Sequence, residues 1–327
     1  MIVYFHLGAH KTASSLIQHR LKRLNGRVGP HRFAYAENDT VARGDWGKWC
    51  RRKAPTKDET TRAVKAFKRD IAALMKDGPD AIVLSAEGFL GGIPRFSGEN
   101  AYPSAKMALE NFFTLANRLE MKLDVRPIFY IRRTSRFYES CLSQRFSMGH
   151  AESPEEAFAA IRPETASWQP IIADIEAASG RQIPVRTFET IAQLGPAGFV
   201  AEFLAALGLG PATSLQREIA LGHAAERLPA AIRKVPVVAR FLRPNVGLSA
   251  RGAEMVERLR PLVTKEEWHA IVRPVIRRHF SALKDPGPTY PLPDDLARRL
   301  DAVYDEDLKA LSSRLTLSYP APAGSRS

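Results

Sequence analysis

The chain has 327 residues, 48 Lys and Arg against 35 Asp and Glu for a net charge of +13, 45% hydrophobic residues and two cysteines. That length and apolar content suffice for a full core, as one large α/β domain or a domain with an appendage. No apolar run approaches the ~20 residues of a membrane helix, the N-terminus lacks the basic region of a signal peptide, and Cys50 and Cys141 are too few and too far apart for a disulfide framework or a zinc site. A cytoplasmic protein is expected, with Cys141 a buried packing residue.

Residues 2–7 form a short β-branched and aromatic run of strand length. They lead through Gly8-Ala9-His10-Lys11-Thr12-Ala13 into a helical pattern over 14–24 that opens with Ser14 and Ser15. A strand that turns into a helix N-terminus leaves several backbone N–H groups unpaired beside a partial positive charge, which suits an anion. Lys11 adds a mobile full charge. The Walker pattern needs glycine directly before the lysine, and His10 stands there, so ATP is not the default ligand.

Residues 31–58 carry Trp46, Trp49, Arg51, Arg52 and Lys53 without clear periodicity, and read as a surface loop able to contact an acceptor. Helical patterns follow over 60–76 and 104–119, with a strand over 81–85 between them. Glu87 stands just past that strand, where a carboxylate faces the crevice and partial burial raises its pKa toward working pH. It is the candidate base, and helix capping or ion pairing is its structural alternative. His10 is the second candidate, since its ordinary pKa suits the task, or else it shapes the loop by hydrogen bonding. His6, inside the first strand, reads as a satisfied core histidine.

A third strand, 125–131, ends in Arg132-Arg133, and a helix follows over 137–148 with Ser140 eight residues after Arg132. A fourth strand spans 183–188. This alternation predicts an α/β fold, a parallel sheet with helices on both faces and ligands beyond the strands' carboxyl ends. The loops 8–15, 85–92 and 132–140 then surround one crevice.

His10-Lys11-Thr12-Ala13-Ser14-Ser15 together with Arg132 and Ser140 resembles the two nucleotide-binding elements of the sulfotransferases that use 3′-phosphoadenylyl sulfate (PAPS), in particular their bacterial branch. The likeness extends at lower resolution over roughly the first 210 residues, through Trp168 and 180–189. It implies a three-layer, P-loop NTPase-like sulfotransferase fold. It further implies that residues 10–15 hold the 5′-phosphosulfate, that Arg132 and Ser140 hold the 3′-phosphate, and that Phe188 packs beside the adenine. Members acting on carbohydrates place a glutamate base at a corresponding strand end, which supports Glu87. Where many members carry Gly at 13 or Thr at 14 and 15, this chain has Ala13, Ser14 and Ser15. A left-handed residue 13 would therefore be strained.

The expected activity is transfer of a sulfuryl group from PAPS to a hydroxyl acceptor, for preference a glycan or glycolipid, with no metal. A P-loop kinase and a non-catalytic nucleotide-binding protein are the alternatives. The sulfotransferase domain is expected over 1–319, with its nucleotide-binding core over about 1–210 and a basic helical extension over about 211–319. Residues 226–284 hold 13 Lys and Arg against 5 Glu. They read as a solvated basic face, a surface for anionic lipid or an acidic acceptor, or, last, a nucleic-acid groove, for which no recognition signature accompanies the charge. The Pro-, Ala-, Gly- and Ser-rich tail 320–327 reads as disordered.

Overall fold

The computed structural model describes residues 1–94, 99–147, 154–210, 291–320 and 322. Strands β1 (Ile2–Gly8), β2 (Arg27–Val28), β3 (His31–Ala36), β4 (Ala81–Ser85), β5 (Asp124–Ile131) and β6 (Val185–Thr187) form one sheet in the order β2-β3-β4-β1-β5-β6. Only the β2–β3 pair is antiparallel. The sheet is thus mixed and mostly parallel, and side-chain alternation along β1 divides the core. Val3, Phe5 and Leu7 enter one apolar cluster, while Tyr4 enters the other.

Helix α1 (Ser14–Arg23) lies on the Tyr4 side. Helices α2 (Asn38–Val41), α3 (Asp45–Cys50), α4 (Lys57–Met75), α5 (Ala105–Ala116), α6 (Thr134–Ser147), α7 (Pro154–Ala160) and α8 (Gln169–Ser179) precede β6. Helix α9 (Thr190–Ala206) returns to the Tyr4 side through Phe199, Phe203 and Leu204, after a break at Gly195-Pro196. Helix α4 starts at Lys57, ahead of the expected residue 60, because Thr56 and Glu59 form a reciprocal capping box, with Thr56 Oγ1 accepting from Glu59 N and Glu59 Oε2 from Thr56 N.

The segment 31–58 is not a surface loop. It supplies a sheet strand and two short helices, and Trp46 and Trp49 are 1% and 5% exposed. The Trp46 ring packs against Phe67, Phe89 and Phe112, so these tryptophans are core residues and cannot meet an acceptor. The i, i+3 spacing of the two rings on α3 was the available signal.

At the C-terminus, α10 (Asp294–Ala310) and α11 (Ser312–Thr316) bury Leu300, Tyr304 and Leu311 in the same core as Val3 and Phe5. The chain then crosses to the other cluster, where Tyr319 N donates to Ala206 O and Tyr319 Oη to Pro127 O. Buried Arg186 donates to the carbonyls of Leu315 and Leu317 at 2.9 and 2.8 Å. This stretch of the expected basic extension is therefore integral to the core. The basic segment 226–284 lies outside the described residues, as does the tail apart from Pro320 and Pro322. No helix among the described residues is long and apolar enough to cross a membrane.

Candidate functional site

The connections leaving β1 and β5, neighbours in the sheet, run to opposite sides, toward β3 and β6. Parallel sheets form their ligand crevice at such a point, and the loop 9–13 lies there. Ala9 N donates to Tyr130 O on β5 at 3.0 Å, and Thr12 Oγ1 donates back to Ala9 O at 2.7 Å. The Thr12 hydroxyl proton is thus used inside the loop, and Thr12 is a brace before it can be a ligand.

Two side-chain-bearing residues of this loop are left-handed, Lys11 at φ 67° and Ala13 at φ 61°. Each costs roughly 1–2 kcal/mol in that region. At Lys11 the conformation is held from both sides: Glu87 Oε1 accepts from Lys11 N at 2.9 Å, and Arg132 Nη1 donates to Lys11 O at 2.9 Å. The carboxylate past β4 and the guanidinium past β5 grip the two polar groups of one residue of the β1 loop. Sequence reasoning placed Glu87 and Arg132 in the crevice but missed this clamp, because a backbone partner leaves no trace in a residue pattern.

Ala13 is also the N-cap of α1 and offers no side-chain cap. Glycine is better than alanine on both counts, at an N-cap and at positive φ. Ala13→Gly is expected to raise stability by up to ~1 kcal/mol, the strain relief exceeding the entropy glycine adds to the unfolded chain. Thermal denaturation measures this, and a lowered melting temperature would contradict it.

The N–H groups of Thr12, Ala13, Ser14 and Ser15 have no acceptor among the described residues. Ser14 Oγ is sealed from solvent and likewise unpartnered. It crowds Gly8 so closely that a Cβ there would sit 2.4 Å away, so any side chain at that position would displace the Ser14 hydroxyl. Ser15 is exposed, and Lys11 Nζ makes no ion pair among the described residues. Beneath the loop, His6 Nδ1 lies 2.8 Å from Ser85 Oγ, to which Gln18 Nε2 donates at 3.2 Å. His6 is therefore satisfied on one side only, since its Nε2 has no partner, and burial pushes its pKa down to about 3.

Burial raises the Glu87 carboxyl above its ordinary 4.5, against the opposing Lys11 N–H bond and Lys11 charge. His10 is 7% exposed and is bound through both N and Nδ1 to the Tyr102 hydroxyl. Arg132 stacks over the Phe188 ring at 4.5 Å, and its carbonyl accepts from Trp168 Nε1 at 3.0 Å. The structure therefore brings Lys11, Glu87, Arg132 and Phe188 together, with His10 on the same loop. Ser140 is half-buried on α6 and its hydroxyl bonds neither Arg132 nor any other described residue. Arg133 turns to the acids of α10, with Asp301 and Asp305 at 3.5 and 3.6 Å. Cys141 is fully buried, and burial pushes its thiol up.

No protein-family model matches the chain, and no curated protein or solved structure shows significant similarity to it. The site must be read from its own chemistry.

Unpaired N–H groups at a helix start and two cationic side chains favour an oxyanion. A carboxylate with a raised pKa beside them can accept a proton from a neighbouring group. No cluster of three or more His, Cys, Asp or Glu side chains able to hold a metal occurs among the described residues.

Proposed function

We propose that the protein is a PAPS-dependent sulfotransferase of P-loop-like fold, transferring a sulfuryl group to a hydroxyl acceptor and leaving 3′-phosphoadenosine 5′-phosphate (PAP). The observation that carries the reading is the start of α1, where four N–H groups stand without acceptors among the described residues beside Lys11, whose ammonium makes no ion pair there. Donors grouped in this way at a helix start suit a phosphate or sulfate. Arg132 and the Phe188 ring, stacked on one another, suit the 3′-phosphate and the adenine side of the nucleotide.

Sulfuryl transfer resembles phosphoryl transfer in its loose, in-line transition state, where charge develops on the leaving bridging oxygen. Lys11 and the loop N–H groups would stabilise that charge. Glu87 would take the acceptor's proton. The glycan or glycolipid preference rests on the Glu87 base and the family resemblance, since Trp46 and Trp49 belong to the core and offer an acceptor no surface.

A P-loop kinase would pair the loop with a magnesium-binding aspartate past a neighbouring strand, whereas β4 runs into Ala86-Glu87, and Glu87 is engaged with Lys11 N. Ligand stabilisation separates the readings. At about 100 times its dissociation constant, a ligand raises stability by roughly 2.7 kcal/mol. PAP without metal is expected to raise the melting temperature accordingly. Stabilisation by ATP–Mg²⁺ but not by PAP would sink the proposal, and stabilisation by PAP with no transfer to any member of a broad hydroxyl panel, using radiolabelled PAPS, would leave a non-catalytic binding protein.

A further inference from the structure

Tyr102, 92 residues away in sequence, fixes the protonation of His10. Its hydroxyl oxygen lies 2.7 Å from His10 N and 2.8 Å from His10 Nδ1, with the two rings stacked at 5.7 Å and 20°. The backbone N–H can only donate, so the phenol oxygen accepts there. A phenol carries one proton. Among the described residues, the one other group within hydrogen-bond distance of the phenol oxygen is Nδ1. The opposite assignment, with Nδ1–H donating, would make the phenol accept twice and leave its own proton without a partner in a residue only 2% exposed, an outcome buried polar groups avoid. Nδ1 is thus an acceptor, and the neutral ring carries its hydrogen on Nε2. Double protonation is opposed by burial and by Lys11, which together hold the pKa down to about 4.

We propose that His10 is a neutral hydrogen-bond donor, its Nε2–H offered to the oxyanion bound at the α1 start, with Tyr102 as the positioning residue that locks this tautomer. No hydrogen bond from a described residue reaches Nε2, which leaves it free for a ligand. A neutral donor strengthens its bond as charge develops on an oxygen, without presenting a fixed charge to the ground state. A ring locked this way cannot accept a proton at Nδ1, where Tyr102 sits, nor at Nε2, which already holds one. His10 is therefore not the base, and proton removal falls to Glu87. That the oxyanion belongs to a nucleotide rests on the sulfotransferase reading, whereas the tautomer does not.

The test is two-bond ¹H–¹⁵N spectroscopy of the full chain labelled in histidine, at pH 7, free and then with PAP or inorganic sulfate. The His10 signals are assigned by their loss in His10→Gln. The expected spectrum shows the Nε2–H tautomer, with Nε2–H shifted by PAP. Tyr102→Phe, checked for an intact fold by thermal denaturation, should let the Nδ1–H form appear. By calorimetry, His10→Leu should weaken PAP binding about tenfold, the loss of one hydrogen bond to a charged group, while His10→Gln, which keeps a side-chain N–H, should stay closer to the parent. An Nδ1–H tautomer or an imidazolium in the parent protein overturns the proposal. So does PAP binding that leaves Nε2–H unmoved. If PAP fails to bind, the nucleotide reading falls and sulfate decides, a shifted Nε2–H supporting the donor role and an unshifted one overturning it.

Discussion

Glu87→Gln is expected to lower turnover by ~100-fold or more while PAP affinity changes little, and Glu87→Ala to lose both. The two substitutions differ because Glu87, on the sulfotransferase reading, would have two tasks. Its Oε1 accepts the Lys11 N–H that helps hold that residue left-handed. A glutamine carbonyl can still accept this bond, so the cradle keeps its shape, but an amide is no base. Alanine removes the acceptor as well, and Lys11 can then relax out of its strained conformation, carrying the loop N–H groups out of register with an anion. The pH dependence follows the same carboxyl. A base must be ionised, and burial raises the Glu87 pKa above 4.5, so activity should fall as pH drops through that raised value. This acid limb should vanish in the residual activity of Glu87→Gln. Turnover of radiolabelled PAPS and calorimetry with PAP, run on both variants, read the two tasks separately. Unchanged turnover in Glu87→Gln would reduce Glu87 to a backbone clamp. Lys11→Ala should abolish transfer altogether, since no other described cation is free on the loop to meet the leaving oxygen.

What the sequence made legible is what depends on neighbours in the chain. Strand β4, most of β1 and the second half of β5 from Pro127 are buried on both faces and mainly apolar, and such runs read plainly. The strand-to-helix start at Ser14 was legible for the same reason. Strand β3 was not, because its sequence His-Arg-Phe-Ala-Tyr-Ala buries only Phe33 and Ala36 and carries two polar residues at its start. Helices α2 and α3 are too short to establish a 3.6-residue period. In the site, Lys11, Glu87 and Arg132 could be placed at strand ends by pattern, but their mutual bonds span 76 and 121 residues. Tyr102 stood in no recognisable motif, and only the fold brings its hydroxyl to His10. The conformation of Ala13 was foreseen as a condition, that a left-handed residue there would be strained, and it is left-handed at φ 61°.

Asp307 had no sequence signal at all, yet its replacement should carry a large stability cost for a polar residue of the C-terminal region. It lies on α10, 1% exposed, and accepts from Trp168 N and Ser167 Oγ, each at 2.7 Å, and from Gln169 Nε2 at 2.9 Å. These donors stand at the start of α8, where unpaired N–H groups and the helix dipole favour a carboxylate. A residue 139 positions distant thus performs the capping that Trp168, the local N-cap, cannot. The same Trp168 packs on Phe137 and donates from its indole to the Arg132 carbonyl, so the cap also steadies the guanidinium side of the site. Asp307→Ala removes the acceptor of three donors, one of them the N–H of buried Trp168, and is expected to destabilise the fold by about 3 kcal/mol. Asp307→Asn keeps one acceptor oxygen but turns an N–H₂ toward donors, and should fall between Ala and the parent. Denaturant unfolding measures the series, with the slope expected to stay constant because the surface exposed on unfolding is unchanged. A loss below about 1 kcal/mol in Asp307→Ala, a typical value for a surface change, would mean that α10 is held by its apolar face through Leu300 and Tyr304 alone. A full loss accompanied by weakened PAP binding would show that the far C-terminal helix sets the position of Arg132 through Trp168.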